Sequence, residues 1–240
     1  VGAVKFFALP ERLTEPLKTL ARSENATLFM VLLAAFEVLI GRYSGQTDFA
    51  VGTPIANRVR PELEPLIGFF VNTLVLRADL NGRPSFRALL QRARATALDA
   101  FSHQDVPFER LVDELHVPRS LSHHPLFQVM FALQNAPAAE VQLPGLRLTS
   151  LDVQTGGAQF DVSLYVWDEP AGLVGRLEFN TDLFDDVTLA RFARHYERLL
   201  ESIVAAPDTA IDNLPLMPDD ERDTVVRVWS GAAQPAYPIA

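Results

Sequence analysis

The chain has 240 residues, of which 48% are hydrophobic and 21% are charged, a composition typical of a globular protein with a sizeable core. The net charge is −9 and Lys and Arg form no cluster, which argues against a nucleic-acid partner. The absence of cysteine excludes disulfides, thiolate metal sites and a thiol nucleophile within these residues. It is compatible with a reducing cytoplasm, where we expect the protein to be.

The longest apolar stretch spans residues 26–40 and is interrupted by Glu37. It is shorter than the roughly 20 apolar residues that a bilayer span needs, so it predicts a buried core helix and no membrane association. The chain starts at Val1 without a signal-peptide pattern, and we expect it to be part of a longer protein.

Hydrophobic periodicity, together with Gly and Pro positions, predicts the elements in chain order. The first half contains a strand at 4–9, helices at 10–21 and 27–43, strands at 49–55 and 69–77, and helices opened by Pro84 and Pro107. The second half contains strands at 126–133, 146–153, 161–167 and 174–181, a long helix capped by Asp185 or Asp186, and a short helical stretch at 219–229. Helices and strands without regular alternation predict a layered α+β fold.

Several segments share the residue patterns of one protein family. They are IGFFVNT at 67–73, HQDVPFE at 103–109 and PLFQVMF at 125–131, with further matches at 51–58, 159–161 and 180–185. In this order they resemble the C-terminal lobe of a nonribosomal peptide synthetase condensation domain. Residues 214–216, with Glu221, Arg222 and Trp229, resemble the start of the linker to an adenylation domain. The resemblance therefore divides the chain into a lobe at 1–213 and a linker at 214–240.

The resemblance implies a chloramphenicol acetyltransferase-like fold, that of the CoA-dependent acyltransferases, with a layered mixed sheet and helices. In that family two lobes enclose a tunnel, in which an amide bond forms between a donor acyl and an acceptor aminoacyl thioester. The implied partners are the N-terminal lobe, donor and acceptor carrier proteins and a downstream adenylation domain. The family binds no cofactor directly, because carrier proteins deliver the phosphopantetheine arms.

The paired-histidine motif of the family, His-His-x-x-x-Asp-Gly, does not occur in this sequence. His123 and His124 do not complete it, because Gln128 and Val129 stand where the motif requires Asp and Gly. We therefore expect no catalytic residue and no metal site in this chain, and no activity of the chain alone. His123 and His124 are expected in an exposed loop, in a region where Ser120, His123 and His124 replace the Asp, Arg and Asn of the family pattern.

Six polar residues of the motif segments are predicted to line the tunnel or to support its structure: Asn72, Thr73, His103, Gln104, Asp105 and Gln128. Asn72 is either a core amide bonded to neighbouring backbone or a tunnel-lining group. His103 follows a helix, where its charge would suit the negative end, and Asp105 or Glu109 could cap the next helix or shape the tunnel. Gln128 is expected to alternate with Leu126 and Met130 in a strand.

Three other interpretations of the sequence remain open. The chain could be a lobe of an epimerisation domain, or a non-catalytic module that docks carrier proteins. A segment cut between lobes for domain recombination would have the same sequence. The sequence that precedes this chain in its parent protein separates the epimerisation lobe from the condensation lobe. An intact paired-histidine motif there would point to the enzyme and not to the docking module.

Overall fold

The computed structural model describes residues 1–58, 60–117, 124–134 and 156–229. The strands in these ranges are β1 (Gly2–Ala8), β2 (Asp48–Ile55), β3 (Asn72–Asp79), β4 (Val129–Gln134), β5 (Val162–Glu169) and β6 (Gly172–Asn180). The helices are α1 (Glu11–Ser23), α2 (Leu28–Ser44), α3 (Phe86–Ser102), α4 (Phe108–Glu114), α5 (Asp186–Ala205) and α6 (Asp219–Asp223), which continues as a wider π-helical stretch, Thr224–Trp229. Short 3-10 turns form at Pro61–Leu63 and Ile211–Asn213.

The strands form one mixed sheet in the order β1-β6-β5-β4-β2-β3. Strands β2, β4 and β5 run parallel to one another, whereas β1, β6 and β3 are antiparallel to their neighbours. The layered α+β architecture predicted from the sequence is confirmed.

Helix α2 is the centre of the layer that covers one face of the sheet. It begins after Thr27, whose hydroxyl accepts the Met30 amide proton, and ends at Gly45, which adopts a left-handed φ of 71°. Eleven of its seventeen residues are buried, and α1, α3 and α5 pack around it, as expected of a core helix. Within the described residues, no single helix is long and apolar enough to cross a membrane; α1 and α2 meet that criterion only as a pair bent by 103°.

The opposite face of the sheet, which we call the open face, carries only a small apolar cluster among the described residues. Its apolar cluster consists of Phe127, Met130 and Phe160. The ring of Phe127 lies directly on the backbone of Gly52, where a Cβ atom would come within 2.2 Å of a ring carbon. A larger residue at position 52 would therefore displace this ring.

Two predicted strands start later than expected, for local reasons. The strand predicted at 69–77 begins at Asn72, which pairs with Ile55, the last residue of β2. Phe69 lies outside the sheet and is 91% exposed. The strand predicted at 126–133 begins at Val129, since Leu126 has a left-handed φ of 70° that no strand accommodates. The strand predicted at 146–153 lies outside the described residues.

Glu37 is the one acidic side chain that the described part of the core buries. It is 2% exposed in the middle of α2, and burial raises its pKa from 4.5 to about 8. The carboxyl group is therefore protonated in the folded protein at neutral pH, whereas it is ionised in the unfolded chain.

This difference makes the free energy of unfolding depend on pH. Between about pH 4.5 and 8 the folded state holds a proton that the unfolded state has lost, so stability falls as pH rises, by about 1.4 kcal/mol per unit at the steepest. We predict that Glu37→Gln removes this pH dependence of the free energy of unfolding. As pH rises from about 4.5 to 8, the variant should therefore become more stable relative to wild type.

Denaturant unfolding at several pH values measures the effect, with the exposed Glu62→Gln as the matched control. The control should keep the wild-type pH dependence. An unchanged pH dependence in Glu37→Gln would show that the buried carboxyl is not the group responsible.

Candidate functional site

A cavity of about 590 Å³ opens on the open face, beside the end of β2 and the start of β3. Five sequence segments that lie far apart in the chain contribute to its wall, those at 51–58, 67–73, 103–109, 125–131 and 159–161. The fold thus brings the motifs identified from sequence into one place. The polar residues in the wall are Asn57, Asn72, Thr73, Asp105, Glu109, His124, Gln159 and Tyr165.

Asn72 joins two of these segments through its side-chain amide. Its Nδ2 donates to the carbonyl oxygens of Gln104 at 2.9 Å and Val106 at 2.8 Å. Its Oδ1 accepts from the backbone amides of Phe108 at 3.1 Å and Thr73 at 2.9 Å. Because a carboxamide offers two donors and two acceptor lone pairs, these four bonds satisfy it completely.

These bonds also decide how α4 begins. The helix starts after Pro107 without a hydrogen bond from the side chain at its N-cap, and the Phe108 amide is satisfied by Asn72. The sequence predicts that Asp105 or Glu109 caps this helix. This prediction is wrong for the Phe108 amide, because Asn72, 36 positions earlier in the chain, accepts its hydrogen bond. Asp105 and Glu109 instead lie in the cavity wall.

The remaining predicted residues of the 103–109 segment have structural positions. His103 is the C-cap of α3, as expected, and its Nδ1 lies 2.9 Å from the Asp99 carbonyl oxygen. Since a carbonyl oxygen only accepts, this ring nitrogen donates. The Gln104 carbonyl accepts from Asn72, while Thr73 lines the cavity. His103 and Gln104 do not line it.

Gln128 does not occupy the predicted position. It precedes β4, is exposed, and its Nε2 donates to the His124 carbonyl oxygen at 3.0 Å. The left-handed conformation of Leu126 breaks the alternation on which the prediction rested. Gln128 holds the turn before the strand and does not line the cavity.

His124 lies in the cavity wall, contrary to the expectation of an exposed loop; His123 is outside the described residues. The imidazole stacks on Phe108 at 5.4 Å and meets the edge of Phe160 at 4.8 Å, both measured between ring centroids. Sequence reasoning missed this position because the contact unites three separate segments. The only available signal was the departure of His124 from the family pattern.

The loop between β2 and β3 closes one side of the cavity. The Arg58 guanidinium donates to the carbonyl oxygen of Leu63 and lies 4.3 Å from the ring centre of Phe70. Asn57, just before it, has a left-handed φ of 50° that turns its side chain into the wall. The arginine thus holds together a loop that has little regular structure of its own.

The chemistry of this wall is that of a binding surface. Burial, with Glu178 nearby, raises the pKa of Tyr165, so its phenol stays protonated at neutral pH. The described residues contain no group of three or more His, Asp or Glu side chains that could hold a metal ion. The wall can position a ligand through hydrogen bonds and aromatic contacts.

Removing the Asn72 amide should be costly, because four backbone groups lose their partner at once. We predict that Asn72→Ala lowers the free energy of unfolding by about 2–4 kcal/mol and accelerates hydrogen exchange at the Phe108 amide. Asn180→Ala, which removes a single bond to the Asp182 amide, is the matched control and should cost less than about 1 kcal/mol. Equal losses in the two variants would contradict the proposed importance of Asn72.

Comparison with known proteins identifies the family. The family model described as the condensation domain matches residues 3–226. The chain is 49% identical over 234 residues to one of the linear gramicidin synthase proteins of Brevibacillus parabrevis, covering 97% of this chain and 3% of that protein. It is 40% identical to the dimodular nonribosomal peptide synthase of Bacillus subtilis (strain 168), covering 97% of this chain and 10% of that protein. The chain thus spans a tenth or less of the length of these curated relatives.

Solved structures agree with this result. A crystal structure of a four-domain nonribosomal peptide synthetase bound to AMP and glycine superposes with a TM-score of 0.85 at 26% identity, over 92% of this chain and 18% of that one. The X-domain from teicoplanin biosynthesis superposes with a TM-score of 0.84 at 28% identity, over 90% of this chain and 50% of that one. Together with the family match, these similarities establish that the chain belongs to the condensation-domain family of nonribosomal peptide synthetases.

Proposed function

We propose that this chain is the C-terminal lobe of a condensation domain that joins a carrier-bound donor acyl group to a carrier-bound acceptor aminoacyl group. The observation that carries the proposal is the cavity in which five family segments meet on the open face. The length of the chain is consistent with half a domain, since it covers 49–50% of two chains that were solved as single domains of this kind.

In the proposed reaction, the amine of the acceptor attacks the carbonyl carbon of the donor thioester. The carbon–nitrogen bond forms, the carbon–sulfur bond breaks, and the departing thiolate takes up the proton that the nitrogen loses. Holding two tethered reactants in line can supply much of the rate, as effective molarities reach about 10⁵ M or more. This lobe would contribute a wall for that alignment. The histidine that assists the amine would come from the paired-histidine motif, which this sequence lacks.

The surface beside the cavity supports a second lobe as the partner. Ile67 is fully exposed, Phe69 is 91% exposed, and Leu66 and Val71 are each 49% exposed. Covering a large apolar side chain stabilises a complex by about 1.5–3 kcal/mol, and a patch of this kind typically marks an interface. An N-terminal lobe docked here would bury the patch and close the cavity into a tunnel.

The C-terminal segment supports a rigid junction toward an adenylation domain. Packing continues across the proposed boundary at 213: Leu214 is buried, and Arg42 Nη1 donates to the carbonyl oxygens of Ile211 at 3.2 Å and of Leu214 at 3.3 Å. We propose that residues 214–240 begin the linker and that its first part is fixed to the lobe. Carrier proteins would deliver the phosphopantetheine arms to the tunnel.

The buried His195 links helix α6 to the lobe through a hydrogen bond. His195 Nε2 donates to the Glu221 carboxylate at 2.8 Å, and its Nδ1 lies at hydrogen-bond distance, 2.7 Å, from the Tyr43 hydroxyl. Burial and, secondarily, the Glu221 charge raise the pKa of Tyr43 to about 12, so the hydroxyl stays protonated at neutral pH. Arg194 pairs with Asp220 at 2.7 Å on the exposed side.

A second candidate function is a non-catalytic docking module. The X-domain of teicoplanin biosynthesis, 29% identical to this chain, was solved in complex with OxyB. An intact paired-histidine motif upstream of this chain favours the enzyme, and its absence favours the docking module. An epimerisation-domain lobe is distinguished by its product, because such a domain would invert a carrier-bound residue without forming an amide.

The proposed function predicts that the chain alone forms no amide from loaded donor and acceptor carriers, and that adding the N-terminal lobe of the parent protein restores the reaction. Ile67→Ser combined with Phe69→Ser should weaken that complementation about tenfold or more, because both side chains lose apolar contact. Val187→Ser, at a residue 64% exposed on α5, is the matched control and should leave it unchanged. Full activity of the chain alone would contradict the half-domain proposal.

The linker arrangement gives a separate prediction. Glu221→Ala leaves the buried His195 without its acceptor, so hydrogen exchange at residues 219–229 should accelerate about tenfold while the core exchanges as in wild type. Asp219→Ala, at an exposed neighbour in the same helix, serves as the control and should exchange like wild type. Equal exchange in Glu221→Ala and wild type would show that this bond does not hold the linker.

A further inference from the structure

The segment at 180–185 lies outside the wall of the first cavity and contributes to a second one, of about 220 Å³. The carbonyl oxygen of Asn180 accepts from the Phe184 amide at 3.0 Å, which closes the segment into a turn. Asp185 then caps α5 through the Thr188 amide. The turn and the cap place Phe184 against the core, where it forms part of the wall of the second cavity.

The second cavity, which we call the helix-side pocket, lies on the opposite face of the sheet from the first. Val129 and Val162 line it and pack with the main core, whereas Met130 lines the first cavity and belongs to the cluster on the open face. Successive side chains of a strand point to opposite faces, so β4 separates the two cavities. In the described ranges they share no lining residue, and a ligand in one would leave the other free.

The wall of the helix-side pocket is apolar and rich in aromatic rings. The hydroxyl groups of Ser44, Tyr43 and Thr188 each have a partner within the protein. In the described part of the wall, Asp161 carries the only charge. The apolar residues are Ile40, Tyr43, Val162, Phe184, Leu189 and Phe192.

These properties define the chemical class of the ligand. An apolar protein cavity of about 150 Å³ holds benzene, so a pocket of about 220 Å³ has room for two fused rings. The aromatic side chains favour a ring because edge-to-face contacts add to the gain from burial. A charged group would lose its water against a wall that offers few partners, so the wall favours a neutral molecule.

Tyr43 connects the helix-side pocket to the linker. Its ring packs edge-to-face on Phe192, with 5.1 Å between the ring centroids, and its hydroxyl lies 2.7 Å from Nδ1 of His195. The other nitrogen of that imidazole donates to Glu221 in α6. A ligand that restrains the Tyr43 ring would therefore also restrain His195 and the helix bonded to it.

We propose that the helix-side pocket binds a small neutral aromatic molecule of about the size of indole, and that this ligand stabilises the attachment of α6 through Tyr43 and His195. The site does not depend on the reaction proposed for the open face. Because coupling between two sites is reciprocal, the ligand should bind more weakly when α6 is detached.

Indole and benzimidazole test the binding site in the full chain. They share a ring size and an N–H group, but benzimidazole has a second ring nitrogen whose lone pair would lose its water in the pocket. Ligand-observed NMR titration at slightly alkaline pH, where both are uncharged, should give indole an affinity higher by about threefold or more.

A pair of neighbouring variants locates the bound indole. Thr188→Trp should weaken its binding about tenfold, because the larger side chain takes up space in the pocket. Val187→Trp, at a residue 64% exposed and outside the described wall, is the matched control and should bind indole like wild type.

Hydrogen exchange tests the coupling to the linker. With indole at saturation, amides at 219–229 should exchange about threefold more slowly than in the free chain. Tyr43→Phe keeps the ring and removes the hydroxyl, so saturating indole should no longer protect these amides. Glu221→Ala should weaken indole binding by about the same threefold factor, whereas the control Asp219→Ala should not.

Each part of the proposal has results that would overturn it. No indole binding, equal affinities for the two probes, or equal losses in Thr188→Trp and Val187→Trp would overturn the site. Unchanged exchange at 219–229 with indole bound, or the same protection in Tyr43→Phe, would overturn the coupling. If Thr188→Trp does not fold, an indole affinity that is the same in Glu221→Ala and wild type contradicts the proposal on its own.

Discussion

The carboxamide of Asn72 joins two backbone segments, the start of β3 and the turn before α4. Without it, polar groups of both segments would lose their hydrogen-bond partner. The first residue of β3 and the turn before α4 are held at a fixed distance, since all four hydrogen-bonding positions of this side chain are occupied by main-chain groups. The cavity wall between them depends on that spacing. A carboxylate could not replace the amide, because ionised Asp has no donor for the carbonyl oxygens of Gln104 and Val106.

Among the described residues, the two faces of the sheet carry apolar clusters of very different size. Toward the helices, the buried residues form one continuous core around α2. On the open face, a small aromatic cluster supports a cavity whose rim carries exposed Ile67 and Phe69. This asymmetry supports the proposal of a tunnel between two lobes, because each lobe would need its own core and the tunnel would be lined by the faces outside those cores.

The sequence was most informative where a local pattern decides the structure. Apolar periodicity predicted α2 and α5, and Asp185 caps α5 by accepting the Thr188 amide, as predicted. It was least informative where contacts join distant segments. Asn72 was recognised as either a core amide or a tunnel group, and it both bonds to backbone and lines the cavity. The position of His124 and the exposure of Gln128 depend on the left-handed turn at Leu126, which a Leu residue does not signal.

The central claim is that the open face is one half of an enclosed reaction space. Hydrogen exchange of this chain, measured with and without the N-terminal lobe of the parent protein, tests it directly. The account predicts that amides at 66–73 and 103–109 gain protection in the complex, while those of α1 on the opposite face do not. Protection confined to α1, or none at either motif segment in a complex shown to form, would contradict it.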